Sequence, residues 1–245
     1  MPYRMDSIMT LISIFYANAY TQLTKSTVQT PSTVARADAI PADTRNTAPA
    51  DATTPLAQVA SEARATLDAG YKKLGKVGDD YTLGKEWDNV VGLKHLDRRS
   101  LSAMASNQGG LFSQREMSQA RMKMAELESA AMVAADPLDK DPASRFKASV
   151  DFLDGASPEE KSSLEWAQSR ASAQWGYESL MKWGGRTAEN VDTGNIVVNK
   201  FVIAWNELSA TNDASQDVRN MPSWRKAIEL WGLGNEKGQS ISWTL

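Results

Sequence analysis

The chain has no cysteine and one histidine, His95. The first absence removes disulfides, a thiolate nucleophile and any cysteine-ligated zinc or iron–sulfur centre. The second leaves little room for imidazole chemistry. His95 stands with Asp97 and Ser100 in one short segment, too close along the chain for the three side chains to converge as a nucleophile–base–acid triad. It reads as a surface or capping residue. Concentrated positive charge is missing too: 27 Lys and Arg are set against 30 Asp and Glu, for a net charge of −3. Arg98-Arg99 is the only basic step worth naming, so nucleic acid is excluded as an expected partner, because phosphate binding rests on clustered lysine and arginine. No apolar run approaches the roughly 20 residues that a bilayer requires, and no transmembrane helix is expected.

The absences are uneven along the chain. From Met1 to Ser61 there is no glycine, glutamate or tryptophan, and residues 21–54 consist mostly of Thr, Ala, Pro, Ser, Asp and Gln. Such a stretch buries too little apolar surface to offset its ordering entropy, and reads as a disordered linker. All 8 tryptophans lie from Trp87 onward. Large aromatic side chains report a packed core, so the folded part is expected over 55–245.

Ahead of the linker, residues 1–20 carry an apolar run from Ile8 to Tyr16, with Arg4 before it and Ala17-Asn18-Ala19 after it. That is the outline of a secretory signal peptide, with maturation near Tyr20, and it tilts the expected location toward the secreted or extracytoplasmic side. Asp6, Thr10 and Ser13 weaken the match. The same residues support a retained amphipathic helix, since Ile8, Leu11, Ile12, Phe15, Ala19 and Leu23 fall at helical spacing. In that reading residues 8–23 dock on a partner, on the chain's own core or, as a peripheral contact, on a lipid surface.

Beyond the linker the periodicity is helical almost throughout. Leu56, Val59, Ala60, Ala63, Leu67, Tyr71 and Leu74 form one stripe, opened by Thr54-Pro55 and closed by Gly75. Helices are expected over 83–91, 97–105 and 114–134, the last with Met117, Ala120, Met124, Leu127 and Ala131 on one face. Asp141-Pro142 opens a helix with Phe146, Val150 and Leu153 inward. Ser157-Pro158-Glu159-Glu160 opens another, expected to run to Trp183, where Gly184-Gly185 stops it. Ile196-Val197-Val198 starts like a strand, but Val197, Phe201, Trp205 and Leu208 have helical spacing, which predicts a helix over 195–209. Pro222 opens a final helix with Trp224, Ala227, Ile228 and Trp231 inward. The expected fold is all-α, an irregular multi-helix bundle behind a disordered tether, with residues 55–245 one cooperative domain and 136–141 an internal turn.

The stretch Ser106 to Met117, SNQGGLFSQREM, carries the sharpest motif. Residues 105–116 resemble the second half of an EF-hand calcium loop: Gly110 stands at the sixth position, Phe112 at the eighth and Glu116 at the twelfth. The first half departs from the pattern, because Ala105, Asn107 and Gly109 stand where the first three oxygen ligands belong. Asn107, Ser113 and Glu116 are therefore the candidate metal ligands, with one carboxylate among them. Ser113-Gln114-Arg115-Glu116 is equally a capping box, which explains the matching half by helix initiation alone. No cofactor is expected.

Two other glycine patterns are weaker. Gly78 to Glu86 echoes a phosphate loop but has one residue too many and Glu86 in place of a hydroxyl. Gly232-Leu233-Gly234 with Gly238 follows no strand and leaves too little chain for a dinucleotide unit. Carboxylate pairs that could support hydrolysis are Glu86 with Asp88, Asp151 with Asp154, and Glu159 with Glu160. The reading favoured by the whole is a non-enzymatic interaction or assembly protein, with a protein partner or self-association. The alternatives are a weak calcium-responsive module at 105–116 and a carboxylate-dependent hydrolase.

Overall fold

The computed structural model describes residues 54–75, 91, 93–211, 213 and 215–236. The N-terminal apolar segment, the linker, most of the helix expected over 83–91, the Gly78–Glu86 stretch, the Glu86/Asp88 pair and Gly238 lie outside the described residues. Among those described, eight α-helices and no strand occur, so the fold is all-α and multi-helical. The chain divides into two compact units, Met1–Leu127 and Glu128–Leu245.

In the first unit, α1 spans Leu56–Leu74 and ends on Gly75 at φ 66°, a left-handed conformation that suits glycine. Pro55 occupies the N-cap position without a side-chain cap bond, so Thr54 does not cap this helix. Its missing N–H leaves one fewer orphan donor to satisfy. A 3₁₀ turn over Leu93–His95 leads to α2, Arg98–Ala105. There Asp97 accepts from the Ser100 N–H at 2.7 Å. The core joins Val59, Ala60, Ala63 and Leu67 of α1 to Leu101 and Met104 of α2, with Phe112, Met117 and Ala120.

The long helix α3, Gln114–Ala135, contains the boundary between the units. Its expected inward stripe is graded: Met117 and Ala120 are buried, while Met124 and Leu127 are only partly buried. The Asp136–Asp141 turn after it is held by Asp136, whose carboxylate accepts from the Lys140 and Asp141 N–H groups at 2.9 and 2.8 Å.

The second unit is built around α6. Helix α4 spans Pro142–Asp154, α5 Pro158–Lys161, α6 Leu164–Trp183, α7 Ile196–Thr211 and α8 Pro222–Glu236. Helix α6 packs on α4 and α7, and α8 packs on α7. Phe146, Val150 and Leu153 of α4 are buried as expected. Close approach of α4 and α6 is possible because Gly176 faces the Phe146 ring. Trp175 stacks on Trp205 with centroids 5.3 Å apart, and Phe201 meets Trp224 edge-on at 4.5 Å.

Two expectations are corrected here. The helix expected from Ser157 to Trp183 is two helices, because Ser163 caps a new one by accepting from the Trp166 N–H at 3.1 Å. The short first helix closes where the Ser162 hydroxyl donates to the Glu159 carbonyl at 2.6 Å. Ile228 is 37 % exposed rather than inward, whereas Ala227 beside it is fully buried.

Candidate functional site

The loop between α2 and α3 brings Asn107, Ser113 and Glu116 into one short region, and each has a backbone partner. Asn107 has φ 54°, and its side-chain oxygen accepts from the Phe112 N–H at 2.9 Å. Asn107, not the glycine pair, is thus the first residue to leave the helical conformation, since asparagine tolerates the left-handed region. Gly109 and Gly110 follow with φ 72° and 69° and complete the reversal. The Ser113 hydroxyl accepts from the Glu116 N–H at 3.3 Å, and Glu116 accepts from the Ser113 N–H at 2.8 Å. That reciprocal pair is a capping box.

Glu116 has further partners that its neighbours in sequence do not reveal. The Arg64 guanidinium of α1 donates to both carboxylate oxygens, at 2.9 and 3.0 Å, and the Tyr71 hydroxyl donates at 3.0 Å. Arg64 also pairs with Asp68 at 2.8 Å and lies 5.8 Å from the ring centroids of both Tyr71 and Phe112. Burial would raise the Glu116 pKa, but the Ser113 N–H, Arg64 and Tyr71 outweigh it and hold the carboxyl below the ordinary glutamate value. A cation at this carboxylate would have to displace a guanidinium whose Nη1 already donates to both oxygens. Chemically, the arrangement is a clasp that ties the start of α3 to α1.

The Asp151/Asp154 carboxylate pair is also engaged. Asp151 accepts from Lys147 at 2.7 and 2.9 Å. Asp154 is held by Arg170 through Nε at 2.7 Å and Nη2 at 3.0 Å. Glu160 is buried, and its N–H is capped by the Ser157 hydroxyl at 3.2 Å. Asp97 is committed to capping α2, and His95 is exposed in the preceding 3₁₀ turn. Gly232 and Gly234 lie within α8.

The most elaborate polar group escaped the sequence reading. Arg170 is fully buried. Besides Asp154 it donates to the Gln174 side chain at 3.2 Å and to the Val191 carbonyl at 2.6 Å. Gln174 in turn donates to Glu178 at 2.8 Å. The guanidinium thereby fixes the end of α4 and the connection before α7 against α6. The spacing of Arg170, Gln174 and Glu178, four residues apart along a helix otherwise lined with Ala, Trp and Tyr, is the signal that could have found it.

No protein-family model matches the chain, and no curated protein or solved structure proved similar to it. Among the described residues no helix is long and apolar enough to cross a membrane. No group of three or more His, Cys, Asp or Glu side chains that could hold a metal ion occurs among them.

Proposed function

We propose that the protein is a non-enzymatic helical interaction or assembly protein. The observation that carries this reading is the set of large aliphatic side chains left in solvent on helices of the second unit: Val133 at 50 %, Ile196 at 40 %, Ile203 at 43 % and Leu233 at 48 % exposure. Exposed aliphatic groups on well-formed helices suit a surface that another helix covers. Asp151 and Asp154, acids that might have served hydrolysis, are each tied to a cation, and the loop at 105–116 is read as a structural clasp. At the N-terminal end two alternatives go with this reading: export through a signal peptide cleaved near Tyr20, or a retained helix over residues 8–23 that makes a peripheral membrane or protein contact.

The reading is tested by the size of the native particle that contains the full chain in a gentle extract of cells producing it. A particle larger than the 26.8 kDa monomer is expected. Migration as a monomer at every concentration would contradict it.

A further inference from the structure

The assembly reading leaves open what covers the exposed helices. One of them, α7, carries a pattern that is complementary to itself. Ile196, Ile203 and Ala210 are all exposed and are spaced by seven residues. Seven residues fall only about 20° short of two full turns, so the three side chains form one straight line along the helix. The opposite side of α7, through Val198, Phe201, Ala204 and Leu208, is buried. Asn199 and Asn206 flank the line on one side; Lys200 and Glu207 flank it on the other.

We infer that α7 pairs antiparallel with α7 of a second copy of this chain, across a two-fold axis at Ile203. A two-fold axis perpendicular to a helix sets each residue opposite the one equally far on the other side of the centre, and brings each flank against its own copy. Ile203 then meets the second Ile203, and Ile196 meets Ala210, a large side chain against a small one. Lys200 on one copy faces Glu207 on the other, offset by a single residue, and Asn199 faces Asn206. Every contact is apolar with apolar, cation with anion, or amide with amide. A parallel pairing lacks this match, because it would bring the Lys200/Glu207 flank against the asparagine flank. Glu207 already accepts from the Ser223 N–H and hydroxyl at 3.1 and 2.6 Å, which fixes its carboxylate before association. One helix pair is a small interface, so the dimer is expected to be reversible with protein concentration.

The absence of cysteine from the full chain provides a direct test. A disulfide requires Cα atoms about 4.4–6.8 Å apart; at an antiparallel two-fold position 203 meets itself and position 196 does not, whereas a parallel pair would bring both positions against their own copies. Sedimentation of the purified full chain over a wide concentration range should show a monomer–dimer equilibrium. Ile203→Glu and Lys200→Glu should each weaken it by about tenfold or more while helicity and Tm are retained. Ile203→Cys should oxidise to a covalent dimer, whereas Ile196→Cys should not. A strictly monomeric protein, a dimer indifferent to Ile203→Glu, or crosslinking at 196, with or without crosslinking at 203, would each overturn the pairing. The proposal rests on the assembly reading yet fails separately from it. A purified monomer whose native particle still exceeds monomer size defeats the α7 pair alone.

Discussion

Replacing Gly176 by alanine should destabilise the second unit even though alanine is the better helix former. A Cβ added at Gly176 would lie 2.4 Å from Cδ1, 2.5 Å from Cε1 and 3.0 Å from Cγ of Phe146. Phe146 is only 5 % exposed, so its ring has no free space into which to swing, and α4 and α6 must separate or the ring must leave its rotamer. Overpacking of this kind costs about 1–3 kcal/mol, and so severe an overlap belongs at the upper end. The gain in helix propensity, about 1 kcal/mol, offsets part of it. The net expectation is a loss of about 2 kcal/mol, or roughly 5–10 °C in Tm, read by thermal and urea denaturation of the full chain. Gly232 supplies the control. It too is helical, but nothing lies within 4 Å of its added Cβ, so Gly232→Ala should stabilise by about 0.5–1 kcal/mol. Adding Phe146→Leu to Gly176→Ala should recover part of the loss, as a double-mutant cycle would measure. If Gly176→Ala stabilised the protein as Gly232→Ala does, the close α4–α6 contact would be refuted.

Asp154→Ala should cost about 1–3 kcal/mol by chemical denaturation, because it removes two charge-assisted hydrogen bonds from the buried Arg170 guanidinium. It should also speed amide exchange in the 184–195 connection, which Arg170 holds through the Val191 carbonyl. Glu116 has a lowered pKa, so its contribution is fully present above the ordinary glutamate value of about 4.3 and is lost as pH falls through the lower folded value. The difference in stability between wild type and Glu116→Gln should therefore shrink below about pH 4, as Tm against pH will show. Millimolar calcium should move the wild-type Tm no more than that of Glu116→Gln; a rise confined to wild type would favour the calcium-responsive alternative. Residues 55–140 and 141–245 expressed separately should each fail to unfold cooperatively if 55–245 is one cooperative domain. Two independent cooperative transitions would contradict the single-domain expectation and make the 136–141 turn a domain boundary.

What could be read in advance follows the range of the interactions. Local chemistry was legible: Pro142 and Pro158 at helix starts, Gly75, Gly184 and Gly185 at helix ends, the Ser113–Glu116 capping box, and the inward spacing of Phe146, Val150 and Leu153. Each depends on residues within a turn or two of one another. Ser162-Ser163 misled because neither proline nor glycine interrupts the chain between the Ser157–Glu160 start signal and Leu164, and a hydroxyl can sit within a helix or start a new one. Asn107 was masked by the two glycines that follow it. Arg64 and Tyr71 on Glu116, and Arg170 on Asp154 and Val191, join segments that only the folded core brings together. Such pairs leave at most a faint trace in sequence, as in the spacing of Arg170, Gln174 and Glu178. The exposed line Ile196–Ile203 was hidden for a different reason, since periodicity marks a helix but does not say which of its apolar groups the core will leave outside.

The most direct test of an assembly role is to charge the exposed aliphatic surface and follow the native particle. Val133→Glu, Ile203→Glu and Leu233→Glu alter side chains that are 43–50 % exposed, so each should leave stability within about 0.5 kcal/mol of wild type. Native size measured in the same extract should fall toward the monomer in at least the Ile203→Glu variant. A particle of monomer size in wild type, or a larger one that none of the three substitutions alters, would contradict the role.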